Sequence, residues 1–168
     1  MCFHASRFDA RKDSNGDIVL YDDQDESLWN QELIAKGVFH LRQASTGNNI
    51  SKYHLEAGIA YWHTIKEDSK EKWDSILHLY NQLLTLEYSP VAALNRTFAV
   101  SKVHGSEKAI NEAERLNLSM SHYYFVLLGV LYSSTDISKA DMNFRKAMVL
   151  AKTEADKKTI QKNIDKLH

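Results

Sequence analysis

A chain of 168 residues, 43% hydrophobic and 26% charged, has the length and balance of one soluble globular domain able to bury a sizeable core. A formal net charge of −1 excludes a bulk pull toward nucleic acid or anionic membrane, and one proline with six glycines excludes a linker-rich chain. The single cysteine, Cys2, excludes an internal disulfide and fits a reducing cytoplasm.

The first stretch, MCFHASRFDAR, reads as a helix starting directly at Met1, so a natural N-terminal neighbour is expected. In KDSNGDIVLYDD, Asn15-Gly16 is a turn signal and Ile18 to Tyr21 a short extended run, giving a hairpin or loop segment. Residues 13 to 26 carry six acids and no Lys or Arg. Asp23 with Glu26 three residues on forms a D-x-x-E capping arrangement for the helix that follows. That helix shows Trp29, Leu33, Ile34, Val38 and Leu41 at spacings of three and four. It predicts about five amphipathic turns ended by TGNN at 46–49.

A second helix, KYHLEAGIAYWHTIK, starts near Ser51 and has small residues (Ala57, Gly58, Ala60) that permit close approach. The third begins at Asp68-Ser69-Lys70-Glu71, a capping-box-like start, and stripes Trp73, Ile76, Leu77, Tyr80, Leu83 and Leu84. Ser89-Pro90 restarts the chain as a helix to about 103. Gly105 ends it, and Ser106 is the expected cap of 107–116. A helix from about Ser121 to Ser133 turns at Ser134-Thr135-Asp136 into another reaching about Lys152, and Thr153 caps the last. No apolar run approaches the ~18 residues of a membrane span. Eight or nine short helices joined by tight turns predict an all-α array of stacked helical hairpins. Residues 1–88 would form adaptor helices and 89–168 repeat-like pairs, within one helical domain.

The clearest repeat is YYFVLLGVLYSSTDISKADMNFRKAMVLA. Leu128-Gly129 with Tyr132 matches the L-G-x-x-Y core of a tetratricopeptide first helix, and Ala140, Phe144 and Ala147 match the ladder of the second. One period back, Ala109 and Ala113 keep the small positions. Tetratricopeptide-like arrays are right-handed, so that geometry is the expectation.

Motifs for catalysis are lacking: no G-x-S-x-G, no Gly-rich phosphate loop, no H-E-x-x-H. The histidines lack the three- or four-residue helical spacing of metal ligands, and DSNGD and DDQDE do not make an EF-hand. No catalytic residue, metal or cofactor is expected, although a hydrolase or metal enzyme built on the Asp and His residues stands as a rival. His63, after Tyr61-Trp62, reads as a hydrogen-bonded core or groove histidine. Capping leaves Gln24 and the surplus acids unexplained. Asn95-Arg96, inside AALNRTFAV, reads either as a structural pair or as recognition residues on a concave face.

Taken in order, HASRFDAR, GDIVLYDDQD with Trp29, YHLEAGIAYWH, WDSILHLY and SPVAALNRTFAV resemble the C-terminal tetratricopeptide-like extension of a subgroup of bacterial extracytoplasmic-function sigma factors, of the sigma-70 family. Glu26 and Leu28 stand where that family usually has basic residues. The resemblance covers essentially the whole chain and implies a cytoplasmic regulatory module. Its partners would be sigma regions 2 and 4 and the RNA polymerase core; DNA would be reached only through those regions, neither of which is visible here. It implies a contact surface ordered or lined by Asp23, Gln24, Asp25 and Trp29, together with Tyr53, His63, Asn95 and Arg96. The alternative is a stand-alone tetratricopeptide-like scaffold that binds a peptide or protein.

Overall fold

The computed structural model describes residues 1–14, 16–46 and 50–167; the Asn15 half of the expected turn and the 47–49 part of the TGNN stop lie outside them. Among the described residues the regular structure is helical, with no β-strand beyond one isolated bridge. The helices fall into two compact units, Met1–Tyr88 and Ser89–His168.

The first unit begins with α1 (Cys2–Ala5), shorter than the periodicity of MCFHASRFDAR suggests. The Ser6 hydroxyl donates back to the Phe3 carbonyl, and the Ser6 carbonyl accepts from the Asn30 N–H at 2.8 Å, so the chain turns away after one helical turn. A 3₁₀ turn at Asp9–Arg11 follows. The expected hairpin is present as an antiparallel bridge between Lys12 and Ile18, and Gly16 takes φ +79° in its turn. The acidic segment is two 3₁₀ turns, Tyr21–Asp23 and Glu26–Leu28.

The expected cap is corrected here. α2 runs Gln31–Ala44, about four turns rather than five, and its cap is Asn30, whose Oδ1 accepts from the Leu33 N–H at 2.9 Å. Asp23 and Glu26 belong to separate 3₁₀ turns; Asp25 caps the second by accepting from the Ser27 N–H at 2.9 Å. Asn30→Ala should therefore lower the urea-measured stability by about 1 kcal/mol while Asn30→Asp retains most of it. Equal stability of Asn30→Ala and the parent chain would contradict the assignment.

α3 (Lys52–Trp62) starts at Ser51 in a capping box closed by His54. α4 (Lys70–Leu86) is capped by Ser69, which accepts from the Lys72 N–H at 3.3 Å. Asp68 turns instead to the Trp73 indole, whose Nε1 donates to its carboxylate. The core of this unit is Phe3, Trp29, Leu55, Ile59, Trp73 and Ile76 with Tyr80 and Leu83. α1 reaches α2 because Gly37 has no side chain: a Cβ there would sit 2.6 Å from the Phe3 ring.

The second unit stacks α5 (Pro90–His104) on α6 (Ser106–Leu116), and α7 (His122–Tyr132) on α8 (Ile137–Leu150), with α9 (Glu154–Asp165) at the end. Ser89, Asp136 and Thr153 cap α5, α8 and α9 through their side chains. Ser106 does not cap α6; it is the first helical residue, preceded by Gly105 at φ +89°, and its hydroxyl meets that of Ser134 at 3.1 Å. The small residues seal the stacks: Ala109, Ala113, Ala140 and Ala147 are all 0% exposed, with Phe144 at 1%. This is the packing of a repeat-like helical array, and Gly129 of the Leu128-Gly129 signature lies where a Cβ would come within 2.5 Å of the Phe144 ring.

Candidate protein-interaction site

Two surfaces carry the residues singled out by the sequence, one in each unit. In the first unit the segment 20–30 is held from inside by aromatic and basic side chains. Tyr21 is the hub. Its ring lies 6.2 Å from Trp29 and 5.6 Å, edge-on, from His63. The Arg7 guanidinium lies 5.2 Å from the Tyr21 ring centroid and 5.7 Å from that of Trp29, a geometry in which cation–π attraction compensates a buried charge. Lys72, 1% exposed, donates to the Tyr21 hydroxyl at 3.0 Å and to the Ile65 carbonyl at 2.6 Å. Tyr21 in turn donates to the same Ile65 carbonyl at 3.1 Å.

Electrostatics follow from this crowding. Burial, then the nearby Arg11, lowers the Arg7 pKa, and burial raises that of Tyr21. His63 is pushed down to about 4, first by burial and then by the Arg7 and Lys72 charges, so at neutral pH its ring is uncharged. It is half-buried among aromatic rings, also edge-on to Trp73 at 6.2 Å.

Gln24, which local capping left unexplained, is buried; its Nε2 donates to the Val19 carbonyl at 3.4 Å and its main-chain carbonyl accepts from Lys66. With Gln24 and Trp29 turned inward, Asp22, Asp23, Asp25 and Glu26 are all exposed, beside Leu28 at 49%. The Ser27 side chain and N–H hold the Asp25 carboxyl below the usual range, which keeps it ionised. The segment therefore presents an exposed acidic surface above buried Gln24 and Trp29.

Of the other predicted residues, Tyr53 stands at the start of α3 and His63 just beyond its end, about 15 Å along the axis. Tyr53 is 70% exposed and lines a separate cleft of about 410 Å³ with Phe3, His40, Leu41 and His54. Among the described residues, no three His, Cys, Asp or Glu side chains lie close enough to hold a metal ion.

In the second unit Asn95 and Arg96 part company. Arg96 is half-buried and its guanidinium pairs with Glu112 on α6, the structural role weighed for it. Asn95 is exposed on the other side, in a cleft of about 490 Å³ between α5 and α7. Val91, Leu94 and Phe98 share its wall, and Tyr123, Val126, Leu127 and Val130 face them from α7. Val91 and Tyr123 are 59% and 56% exposed.

The roles of Tyr21, Lys66 and Lys72 are hidden in the sequence because the bonds joining Tyr21 to Ile65, Lys66 to Gln24 and Lys72 to Tyr21 span 44, 42 and 51 positions, and that of Arg7 because its aromatic partners lie beyond the next turn. The groove had a visible signal, since HYYFVLLGVLY is apolar all round while one face of a two-helix layer is always left uncovered.

No helix among the described residues is long and apolar enough to cross a membrane. The family described as "Family of unknown function (DUF6596)" matches residues 1–45, the stretch holding Arg7, the acidic segment and α2. An uncharacterized protein of Rhizobium meliloti (strain 1021) is 33% identical over 166 residues, which is 96% of this chain and 39% of that protein. No solved structure matches. The chain spans 39% of the length of the curated relative it matches and is similar, over its first 45 residues, to a family whose function is unknown.

Proposed function

We propose that this chain is the regulatory, protein-interaction domain of a sigma-70 family extracytoplasmic-function sigma factor. It acts by contact with sigma regions 2 and 4 or the RNA polymerase core, in the cytoplasm. DNA is engaged only through those regions. The chain binds and does not catalyse.

The observation that carries this reading is the build of segment 20–30. Gln24 and Trp29 are spent on anchoring, while the four acids around them face outward on a frame held by Arg7, Lys66 and Lys72. Such a surface complements a basic partner, as DNA-binding modules are. The ordered series HASRFDAR, DQD with Trp29, AGIAYWH and SPVAALNR supports the sigma assignment. A stand-alone tetratricopeptide-like scaffold is the second reading, favoured by the charge-free groove between α5 and α7.

The test joins the chain to sigma regions 2 and 4 and reads promoter output with Asp22→Lys and Asp25→Lys combined. Output is expected to change several-fold while the chain stays folded, with a stability loss no larger than that of removing the Asp25 cap. Unchanged output removes the docking role of the acids. Tight, sequence-specific DNA binding by this chain alone at physiological salt, in a mobility-shift assay, overturns the reading altogether.

A further inference from the structure

We propose that the cleft between α1, α2 and α3 binds a small, flat, uncharged aromatic molecule whose single hydroxyl or ring N–H group meets His40. The inference goes beyond the sigma reading and needs only the Met1–Tyr88 unit.

Size sets the class of occupant. The cleft, of about 410 Å³, has the volume of a small-molecule site. Three elements close it: the start of α1, the second half of α2 from Gly37 to Ala44, and α3 from its cap Ser51 to Ala57. The α2 and α3 walls each run about 10 Å, roughly two helical turns. A partner helix or strand would overrun walls of that length, whereas a molecule of one or two rings fits between them.

The lining favours a flat ring. Phe3 and Gly37 are its buried residues and form the floor. The Phe3 ring is fixed by Tyr61, 5.8 Å away, and by its seat on Gly37, where a Cβ would come within 2.6 Å of it. His40, Tyr53 and His54 add three more aromatic side chains, and Leu41 and Ala57 complete the apolar surface. Aromatic rings stack on one another or meet edge to face, which a saturated ring cannot reproduce.

Charge narrows the class. No Asp, Glu, Lys or Arg lines the cleft. Lys52 lies over the Tyr53 ring at 5.5 Å, but its ammonium is spent on Glu87 at 2.6 Å. Met1, fully exposed at the rim, carries its charge in water. An ionised group entering the cleft would lose water without gaining a charged partner.

Hydrogen bonding supplies the handle. Ser51 and His54 are spent inside the protein: the Ser51 N–H donates to His54 Nδ1 at 3.2 Å, and His54 Nε2 donates to the Ala44 carbonyl at 2.9 Å. His40 is held edge-on to the Phe39 ring at 5.5 Å and has no hydrogen-bond partner among the described residues. Its imidazole therefore offers the cleft a free ring nitrogen.

The test titrates the full chain with 2-naphthol, a flat, uncharged probe with one hydroxyl, followed by NMR. Saturable shifts are expected at Phe3, His40, Leu41 and Ala57, with a Kd below about 1 mM. The carboxylate of the same ring system, 2-naphthoate, should bind at least tenfold more weakly, and so should the saturated decahydro-2-naphthol. His40→Leu should weaken 2-naphthol about fivefold, the loss of one hydrogen bond. Ala57→Phe fills the cleft from α3 and should abolish binding with an unchanged circular dichroism spectrum. Ala44→Phe, at an exposed position of α2, does the same from the other wall if the first variant fails to fold.

No saturable shift at millimolar 2-naphthol overturns the proposal. So does equal binding of 2-naphthoate or of decahydro-2-naphthol, or binding that survives a folded cleft-filling variant. Shifts of the same residues that follow protein concentration without probe would give the cleft to a second copy and overturn it too. The titration involves no sigma region, so its failure and that of the promoter-output test are independent.

Discussion

Gly129→Val is expected to lower the stability of the Ser89–His168 unit by at least about 3 kcal/mol. Gly129 lies inside α7, where a glycine costs about 1 kcal/mol relative to alanine, so its presence needs a packing reason. The reason is Phe144 of α8: a Cβ at 129 would lie 2.5 Å from its ring, and Phe144 is 1% exposed with no room to retreat. Gly129→Ala sets roughly 1 kcal/mol of helix propensity against about 1–3 kcal/mol of overpacking and should come out destabilised by about 1 kcal/mol. Valine adds two more methyl groups at the same contact.

The measurement is urea unfolding of the full chain followed by far-ultraviolet circular dichroism. The three tryptophans, Trp29, Trp62 and Trp73, all lie within Met1–Tyr88, so their fluorescence reports on the other unit. Phe144→Leu placed in the Gly129→Ala background should recover part of the loss, because the two substitutions meet at one contact. Additive losses, or an unshifted transition for Gly129→Val, would mean that α7 and α8 do not cross at Gly129.

The same pair explains why the repeat was legible from sequence. A glycine followed by an aromatic on the next helix, with alanines at helical spacing, is a steric code, and sterics are local to one hairpin. Ser89-Pro90 and Thr153 are legible for a similar reason, since a cap needs only its own first turn. The acidic segment was misread because several residues there satisfy the capping pattern equally well. Asn30 prevails over Asp23 because its own N–H is fixed by the Ser6 carbonyl, 24 positions back. No window of sequence contains that constraint.

The site divides along the same line. Trp29 opens the apolar stripe of its helix and is buried, while His63, which the sequence leaves between core and groove, is half-buried. Gln24 is an oddity in the sequence because its side-chain partner, the Val19 carbonyl, is a main-chain group that no motif marks. Asn95 and Arg96 read as one unit in the chain, yet successive helical residues point about 100° apart. One therefore reaches Glu112 and the other the open groove.

His63 should make the Met1–Tyr88 unit acid-sensitive in a defined window. The folded ring titrates at about 4 against an ordinary 6.5, because it is buried and faces the cations Arg7 and Lys72, with His4 as a further positive neighbour and Tyr21 edge-on. Above pH 6.5 the ring is neutral in both the folded and unfolded chain, and the stability is intact. Between 6.5 and 4 the unfolded chain takes up a proton that the folded chain refuses, so stability falls with pH. The loss reaches about 3 kcal/mol by pH 4, at about 1.4 kcal/mol per pH unit.

Tryptophan fluorescence is the direct probe, since Trp73 lies edge-on to the His63 ring. His63→Phe keeps an aromatic ring between Tyr21 and Trp73 but cannot take up the proton. Its urea midpoint should therefore fall less steeply from pH 6.5 to 4 than that of the parent chain. A parallel decline in the two proteins, or an NMR titration of His63 centred near 6.5, would refute the prediction. The same cations that hold segment 20–30 from inside are the ones that keep His63 neutral. Protonating His63 therefore adds a third positive charge around Tyr21, and the loop bearing Asp22, Asp23, Asp25 and Glu26 is the element anchored there. Loosening of the acidic segment and loss of stability should accordingly follow the same acid titration.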